Sequence, residues 1–216
     1  MDRLGKIRGC IFDLDGTLLD SMNVWEDIDK KFLGKRGIAV PLDYLDAVGP
    51  LGFYETAVYT IRRFDLKDET PEELMDEWRD MARYAYAHEV RLKRGVKEYL
   101  FKLKERNIKL GVATAAEPEL FVSALKNNGV YDLFDAFATT YDVSRGKGYP
   151  DIYLAVSGKL ALDPYECAVF EDIFLGIQGA KDGGFLTVAV YDPRSSDISA
   201  MKRISDIYIN SFDELL

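Results

Sequence analysis

The chain has 216 residues, 48% hydrophobic and 30% charged, the size and balance of one large globular domain or a domain carrying a smaller insert. Its net charge of −9 opposes non-specific nucleic-acid binding, which needs a basic surface, and requires that any anionic substrate be drawn in by a local positive site. No apolar run approaches a membrane span and the start Met1-Asp2-Arg3-Leu4-Gly5-Lys6 carries no secretory apolar region, so no membrane partner and a cytoplasmic location are expected.

The first element is an apolar run around Ile11, Phe12 and Leu14 that reads as a short buried strand. Asp13 and Asp15 stand at its far end, followed by Gly16 and Thr17. Residues two apart on an extended chain point to one side with Cα atoms roughly 6.5–7 Å apart, so both carboxylates can face one small ligand. Two anions held together there need a cation or a proton. A plain Asp-Gly turn is the competing reading of the bare string. Cys10 and Cys167 sit in strand-like runs and read as buried free thiols rather than a disulfide.

Helical patterns follow at once. Ser21 reads as an N-cap, with Trp25, Ile28 and Phe32 at helical spacing before Gly34 and Gly37. A short helix over Pro41–Val48 closes at Gly49-Pro50, and another spans Phe53–Phe64. Thr70-Pro71-Glu72-Glu73 is an N-cap, a proline at the first turn and a Glu at the third helical position. Leu74, Trp78, Met81, Ala82 and Ala85 form its apolar stripe. No strand pattern occurs between Asp20 and His88, so an all-helical insert interrupts a different pattern, with linkers near Leu18–Met22 and His88–Lys93.

From Arg91 onward helices and strands alternate. Strands are expected at Ile108–Ala113, Phe137–Thr139, Cys167–Phe170, Leu186–Val190 and Ile207–Ile209. Helices are expected at Gly95–Glu105, Pro118–Asn127, Pro150–Leu160 and Ile177–Asp182, with a terminal turn from Ser211. That alternation implies right-handed crossovers and an α/β, Rossmann-like three-layer core with a parallel sheet.

In such a sheet, ligands bind beyond the carboxyl ends of the strands. Thr114-Ala115-Ala116 follows one strand and Glu117-Pro118 opens a helix, giving a hydroxyl and free backbone N–H groups, either a cap or a phosphate cradle. Lys147, flanked by Gly146 and Gly148, precedes a Pro-initiated helix and is either a solvated loop lysine or one that reaches back over the sheet. Glu171-Asp172 ends another apolar strand, an unlikely place for two acids unless something positive meets them.

Together these sites resemble, in order and spacing, the haloacid dehalogenase superfamily. Asp13-x-Asp15 is similar to its first motif, Thr114 to its second, Lys147 to its third and Glu171-Asp172 to its fourth. Val169-Phe170-Glu171-Asp172 with Gly176, and Arg145-Gly146-Lys147 with Pro150-Asp151, resemble the branch of phosphoglycolate phosphatase and β-phosphoglucomutase. The resemblance covers nearly the whole chain. It implies an α/β core over residues 1–20 and 89–216 and a helical cap over 21–88. Four positions depart from that branch: Gly148-Tyr149 replaces a proline and a small residue, Ile173 stands where a serine is often found, and Ala116 has no polar side chain. These bear on substrate choice and rate, not on reaction type.

The resemblance implies a Mg²⁺-dependent phosphatase acting on a small phosphorylated metabolite through an aspartyl-phosphate. Asp13 would be the nucleophile and Asp15 the general acid and base. Mg²⁺ would take Asp13, the Asp15 backbone carbonyl and Asp172, with Glu171 supporting through water. Lys147, Thr114 and backbone N–H groups near Ala115 would hold the phosphoryl oxygens. A sugar phosphomutase of the β-phosphoglucomutase kind is the alternative, but that group carries a His ten residues after the second motif-one Asp, where this chain has Trp25. A non-catalytic binding protein is the third reading, and the intact Asp13, Asp15, Lys147 and Asp172 oppose it. His88, the sole histidine, reads as structural, while Trp25 and the loop from Gly49 to Tyr54 are candidates for substrate selection.

Overall fold

The structure, a computed structural model, describes residues 2–48, 51–195 and 197–216. Two compact units divide the chain, Met1–Met22 with Val90–Leu216 and Asn23–Glu89.

The first unit is an α/β layer structure on a six-stranded sheet of order β3-β2-β1-β4-β5-β6, all pairs parallel. The strands are β1 (Gly9–Phe12), β2 (Lys109–Thr114), β3 (Ala136–Thr139), β4 (Cys167–Glu171), β5 (Leu186–Val190) and β6 (Ile207–Ile209). Between them run α5 (Val96–Glu105), α6 (Pro118–Asn127), α7 (Asp151–Lys159), α8 (Phe174–Asp182) and α9 (Ile198–Ile204). The strand order reverses beside β1, where the crossovers lead away to both sides and leave a crevice at the carboxyl ends. Register aligns those ends, because Phe12 is level with both Val112 and Phe170.

Strand periodicity divides the core between the two faces. Ile11 joins Ala113, Val169, Ile152, Tyr153 and Val156 on the α7 side. Phe12 stacks on Phe170 with ring centroids 4.6 Å apart, and Phe170 stacks in turn on Phe212 at 5.8 Å. All three rings are buried, and each contributes about 1.5–3 kcal/mol relative to exposure. Cys10 and Cys167 are buried free thiols.

The second unit is helical among its described residues: α1 (Val24–Lys35), α2 (Tyr44–Val48), α3 (Phe53–Phe64) and α4 (Pro71–His88). The reciprocal bonds of the Thr70–Glu73 capping box are both made, with Thr70 N–H donating to Glu73 Oε2 at 2.8 Å. Leu74, Trp78, Ala82 and Ala85 are buried along α4 as the stripe predicts, Met81 is only half-buried, and Tyr86 joins them. Arg36 ties the end of α1 to Glu69 and Glu77 at 2.5 and 2.8 Å. The Gly49-Pro50 pair expected to close α2 lies outside the described residues. Among the described residues no helix is long and apolar enough to cross a membrane.

Three sequence expectations need correction. Ser21 does not cap α1; the N-cap is Asn23, and the Ser21 hydroxyl is committed to Asp15. α2 begins at Tyr44 rather than Pro41. α8 begins at Phe174 rather than Ile177.

Asp29, in the middle of α1, is half-buried, and burial together with the neighbouring Glu26 raises its carboxyl from 3.8 to about 6. A raised acid costs stability once ionised: the cost is absent below the ordinary value and complete above about 6. Asp29→Asn is therefore expected to stabilise the protein by about 1 kcal/mol at pH 7, a figure discounted for solvent screening. It should change little near pH 4. Urea melts at the two pH values check this, and an equal change at both would assign the effect to packing.

Candidate active site

Asp13, Thr114 and the Glu171-Asp172 pair are delivered by strand ends. Asp13 directly follows β1; its N–H donates to Phe170 O at 3.0 Å, which continues the β1–β4 ladder one residue past the strand and fixes the side chain's origin. The chain then turns at Gly16, which has φ +80° and lies so close to Asp172 that a Cβ would collide with its carboxylate. Only glycine accepts both conditions. The turn is tight, with Thr17, Leu18 and Leu19 N–H groups all donating to Leu14 O.

Asp13 and Thr17 point toward the end of β4. Thr17 Oγ1 lies 3.1 Å from Asp13 Oδ2 and 3.2 Å from Asp172 Oδ1, sharing its proton between the two carboxylates. Lys147 arrives from the loop before α7. Gly179 of α8 admits that loop, since a Cβ there would strike the Lys147 carbonyl. Lys147 Nζ donates to Asp13 Oδ1 and pairs with Glu171 Oε1 at 2.8 Å. Glu171 Oε1 also accepts from Tyr153 OH at 2.8 Å, whereas Glu171 Oε2 is buried without a hydrogen-bond partner.

Asp13, Glu171 and Asp172 are all buried, and each offers a carboxylate oxygen within 4.8 Å of the others. One lysine faces three acids, so the cluster is short of positive charge. Burial and repulsion from Asp13, against the pull of Lys147, push the Glu171 carboxyl up to about 7. Burial and repulsion from Asp13 and Glu171 push Asp172 up to about 8. For Lys147 burial alone would lower the pKa, but the carboxylates of Asp13 and Glu171 outweigh it and hold the ammonium charged. Three hard oxygen donors and an unsatisfied buried Glu171 Oε2 make a donor set that fits a small divalent cation such as Mg²⁺.

The other expected residues lie at the same sheet edge. Thr114 ends β2, two residues past Val112, the register partner of Phe12. It is buried, and its Oγ1 accepts from Ala116 N–H at 3.0 Å, which leaves its own proton to donate. Ala115, between them, is exposed. Asp15 turns its Oδ1 to the Ser21 hydroxyl at 2.5 Å. Tyr149 is exposed with the Arg145 guanidinium 4.4 Å over its ring, and Ile173 sits at the N-cap of α8 with no side-chain bond. In the helical unit His88 is exposed against Tyr84, and Trp25, Leu51 and Tyr54 are exposed.

Three contacts were not legible beforehand. Tyr153 lies on the inward face of α7, where a tyrosine reads as packing. Ser21 reads as a helix cap. Ser195, in the loop after β5, reaches Asp172 Oδ2 at 3.4 Å with nothing around it in sequence to mark it.

Comparison with known proteins identifies the family of the chain. Residues 7–184 match the family model for haloacid dehalogenase-like hydrolases. Hexitol phosphatase B of Escherichia coli (strain K12) is 26% identical over 97% of this chain and 95% of its own length. Validoxylamine A 7'-phosphate phosphatase of Streptomyces hygroscopicus subsp. limoneus is 29% identical over 83% of this chain and 84% of its own. The crystal structure of CbbY from Rhodobacter sphaeroides in complex with phosphate superposes with a TM-score of 0.75 at 20% identity, covering 97% of this chain and 96% of that one.

Proposed function

The chain belongs to the haloacid dehalogenase-like hydrolase family, and we propose that Asp13 carries its reaction as the nucleophile of a phosphatase. It hydrolyses a phosphate monoester of a small metabolite. The observation that carries the reading is the Asp13 carboxylate held between Lys147 and Thr17 at the end of β1, with Glu171 and Asp172 beside it.

A carboxylate attacking a phosphate dianion meets charge repulsion, so the site must carry compensating positive charge. Lys147 supplies one such charge and, with the Thr114 hydroxyl and the N–H groups near Ala115, binds the phosphoryl oxygens. Asp13 and Asp172 side chains and the Asp15 carbonyl would hold Mg²⁺, with Glu171 acting through water. The cation, when bound, neutralises charge on the transferring phosphoryl group. An Asp13 oxygen forms the new bond to phosphorus as the ester oxygen leaves. Asp15 enters protonated, donates its proton to that oxygen and then takes one from the water that attacks the aspartyl-phosphate, so the phosphate is released, Asp13 returns as a carboxylate and Asp15 as the acid. Glu171, anchored by Tyr153, keeps Lys147 charged and aimed at Asp13.

The substrate is a small anionic metabolite met in the cytoplasm; the net charge of −9 does not suit nucleic acid as a partner. Phosphate release from a panel of hexitol phosphates, sugar phosphates, phosphoglycolate and nucleotides, with Mg²⁺ and with excess chelator, tests the reading. Release that stops in chelator is expected. Full activity in chelator would remove the metal from the account. A coupled glucose 6-phosphate assay primed with the bisphosphate is run beside it, and mutase turnover above hydrolysis would make the chain a mutase. Hydrolysis is expected to win, because Trp25 offers no base for a sugar hydroxyl.

A further inference from the structure

Lys93 lies three residues into the second segment of the α/β unit, which begins at Val90, and nothing in the chemistry above uses it. Its backbone is zipped to the loop after β1: Lys93 N–H donates to Leu18 O at 2.8 Å, and Asp20 N–H donates to Arg91 O at 2.9 Å. Its side chain goes further in. Nζ donates to Gly16 O and, at 3.0 Å, to Tyr191 O, and pairs with Asp192 Oδ2 at 2.8 Å. The pair is withdrawn from water, the Lys93 and Asp192 side chains being 17% and 3% exposed.

Gly16 is the residue that lies against Asp172. The position of its peptide therefore sets how closely the Asp13–Asp15 turn approaches the end of β4. Asp192 belongs to the loop after β5: its Oδ1 accepts from Arg194 N–H at 2.9 Å and its carbonyl accepts from Ser195 N–H at 3.1 Å. Ser195 in turn places its hydroxyl 3.4 Å from Asp172 Oδ2. The contacts close a ring from Lys93 through Gly16, Asp172, Ser195 and Asp192 back to Lys93.

We propose that Lys93 and Asp192 are positioning residues for the reaction, holding the Gly16 peptide and the Ser195 hydroxyl about the Asp172 carboxylate. The inference rests on the phosphatase reading above. Three crowded carboxylates repel one another, and a glycine turn has little stiffness of its own to resist them. The lysine ammonium opposes that relaxation by pinning the carbonyl that follows Asp15. Lys93 contacts none of the reacting groups, so its loss should act on the geometry of attack and on the cation, not on capture of the ester.

Lys93→Met keeps the stem and removes the charge. The expected result is a fall in kcat on the order of 10²-fold, the usual consequence of a small misplacement. KM should stay within about threefold, since uniform binding is untouched. Mg²⁺ affinity by calorimetry should weaken by about tenfold. This variant also leaves Asp192 buried without its partner and should melt earlier. Lys93→Met combined with Asp192→Asn removes that buried charge, so its melting temperature should recover while kcat does not, because Gly16 O still lacks a donor. A kcat that returns together with the melting temperature overturns the proposal. So does Lys93→Met with wild-type kcat and Mg²⁺ affinity. If wild-type phosphate release is present and lost in Asp13→Asn, those results count against the positioning role alone. Wild-type protein without Asp13-dependent release removes the phosphatase reading and this inference with it.

Discussion

Asp13→Asn is expected to remove turnover, by on the order of 10⁶-fold, the scale seen when the nucleophile of a covalent mechanism is deleted. The fold should not notice. Asp13 is fixed through its backbone, N–H to Phe170 O at 3.0 Å, and that bond survives the substitution. Asn fills the same space, with its oxygen placed to accept from Lys147 and its amide NH2 placed to donate to the Thr17 hydroxyl, but it presents no anion to phosphorus. Removing one of three buried acids also relieves their repulsion, while Lys147 keeps Glu171 at 2.8 Å. The melting temperature without added metal should therefore hold or rise. Phosphate release and a thermal melt on the same sample check both parts. Residual activity within tenfold of wild type would mean that Asp13 is not the attacking group.

Asp15→Asn is expected to cost 10²–10⁴-fold, the range of general acid–base catalysis, and the loss should depend on the leaving group. An alkyl phosphate must expel an alkoxide and needs the proton; a nitrophenyl phosphate expels a stable phenolate and does not. The loss should thus be at least about tenfold larger for the alkyl ester. The Ser21 hydroxyl at 2.5 Å orients the Asp15 carboxylate, and Asn keeps an oxygen for that bond, so the position of the group is retained. Equal losses on both esters would assign Asp15 a role other than proton donor.

The elements legible in the sequence were those with local signatures. α3 and α6 carry their own boundaries, and Thr70-Pro71-Glu72-Glu73 opens α4 by a bond between neighbours. The parallel sheet followed from alternation, and with it the rule that strand ends hold the chemistry. α9 carries no local signature, because seven residues that bury only Met201 show no stripe, and its N-cap Asp197 sits in a left-handed conformation that composition does not announce. Ser21 misled because a serine before a helical run looks like a cap; here the chain spends two more residues turning before α1, and the hydroxyl belongs to Asp15. Lys93, Tyr153 and Ser195 meet their partners Gly16, Glu171 and Asp172 across separations of 77, 18 and 23 residues. Contacts of that kind leave no trace in local pattern. The helical unit kept its secret differently: Trp25 is exposed and packs edge-on against Phe53, a contact that pattern could not distinguish from burial.

In the mechanism proposed above phosphorus visits Asp13 before it meets water, and the steric course at phosphorus distinguishes that from direct attack by water. A thiophosphate monoester made chiral by oxygen isotopes is hydrolysed in water of the remaining isotope, and the configuration of the inorganic thiophosphate is read. Two in-line displacements, first by Asp13 and then by water, predict net retention. Net inversion, the mark of a single attack by water on the ester, would contradict the account.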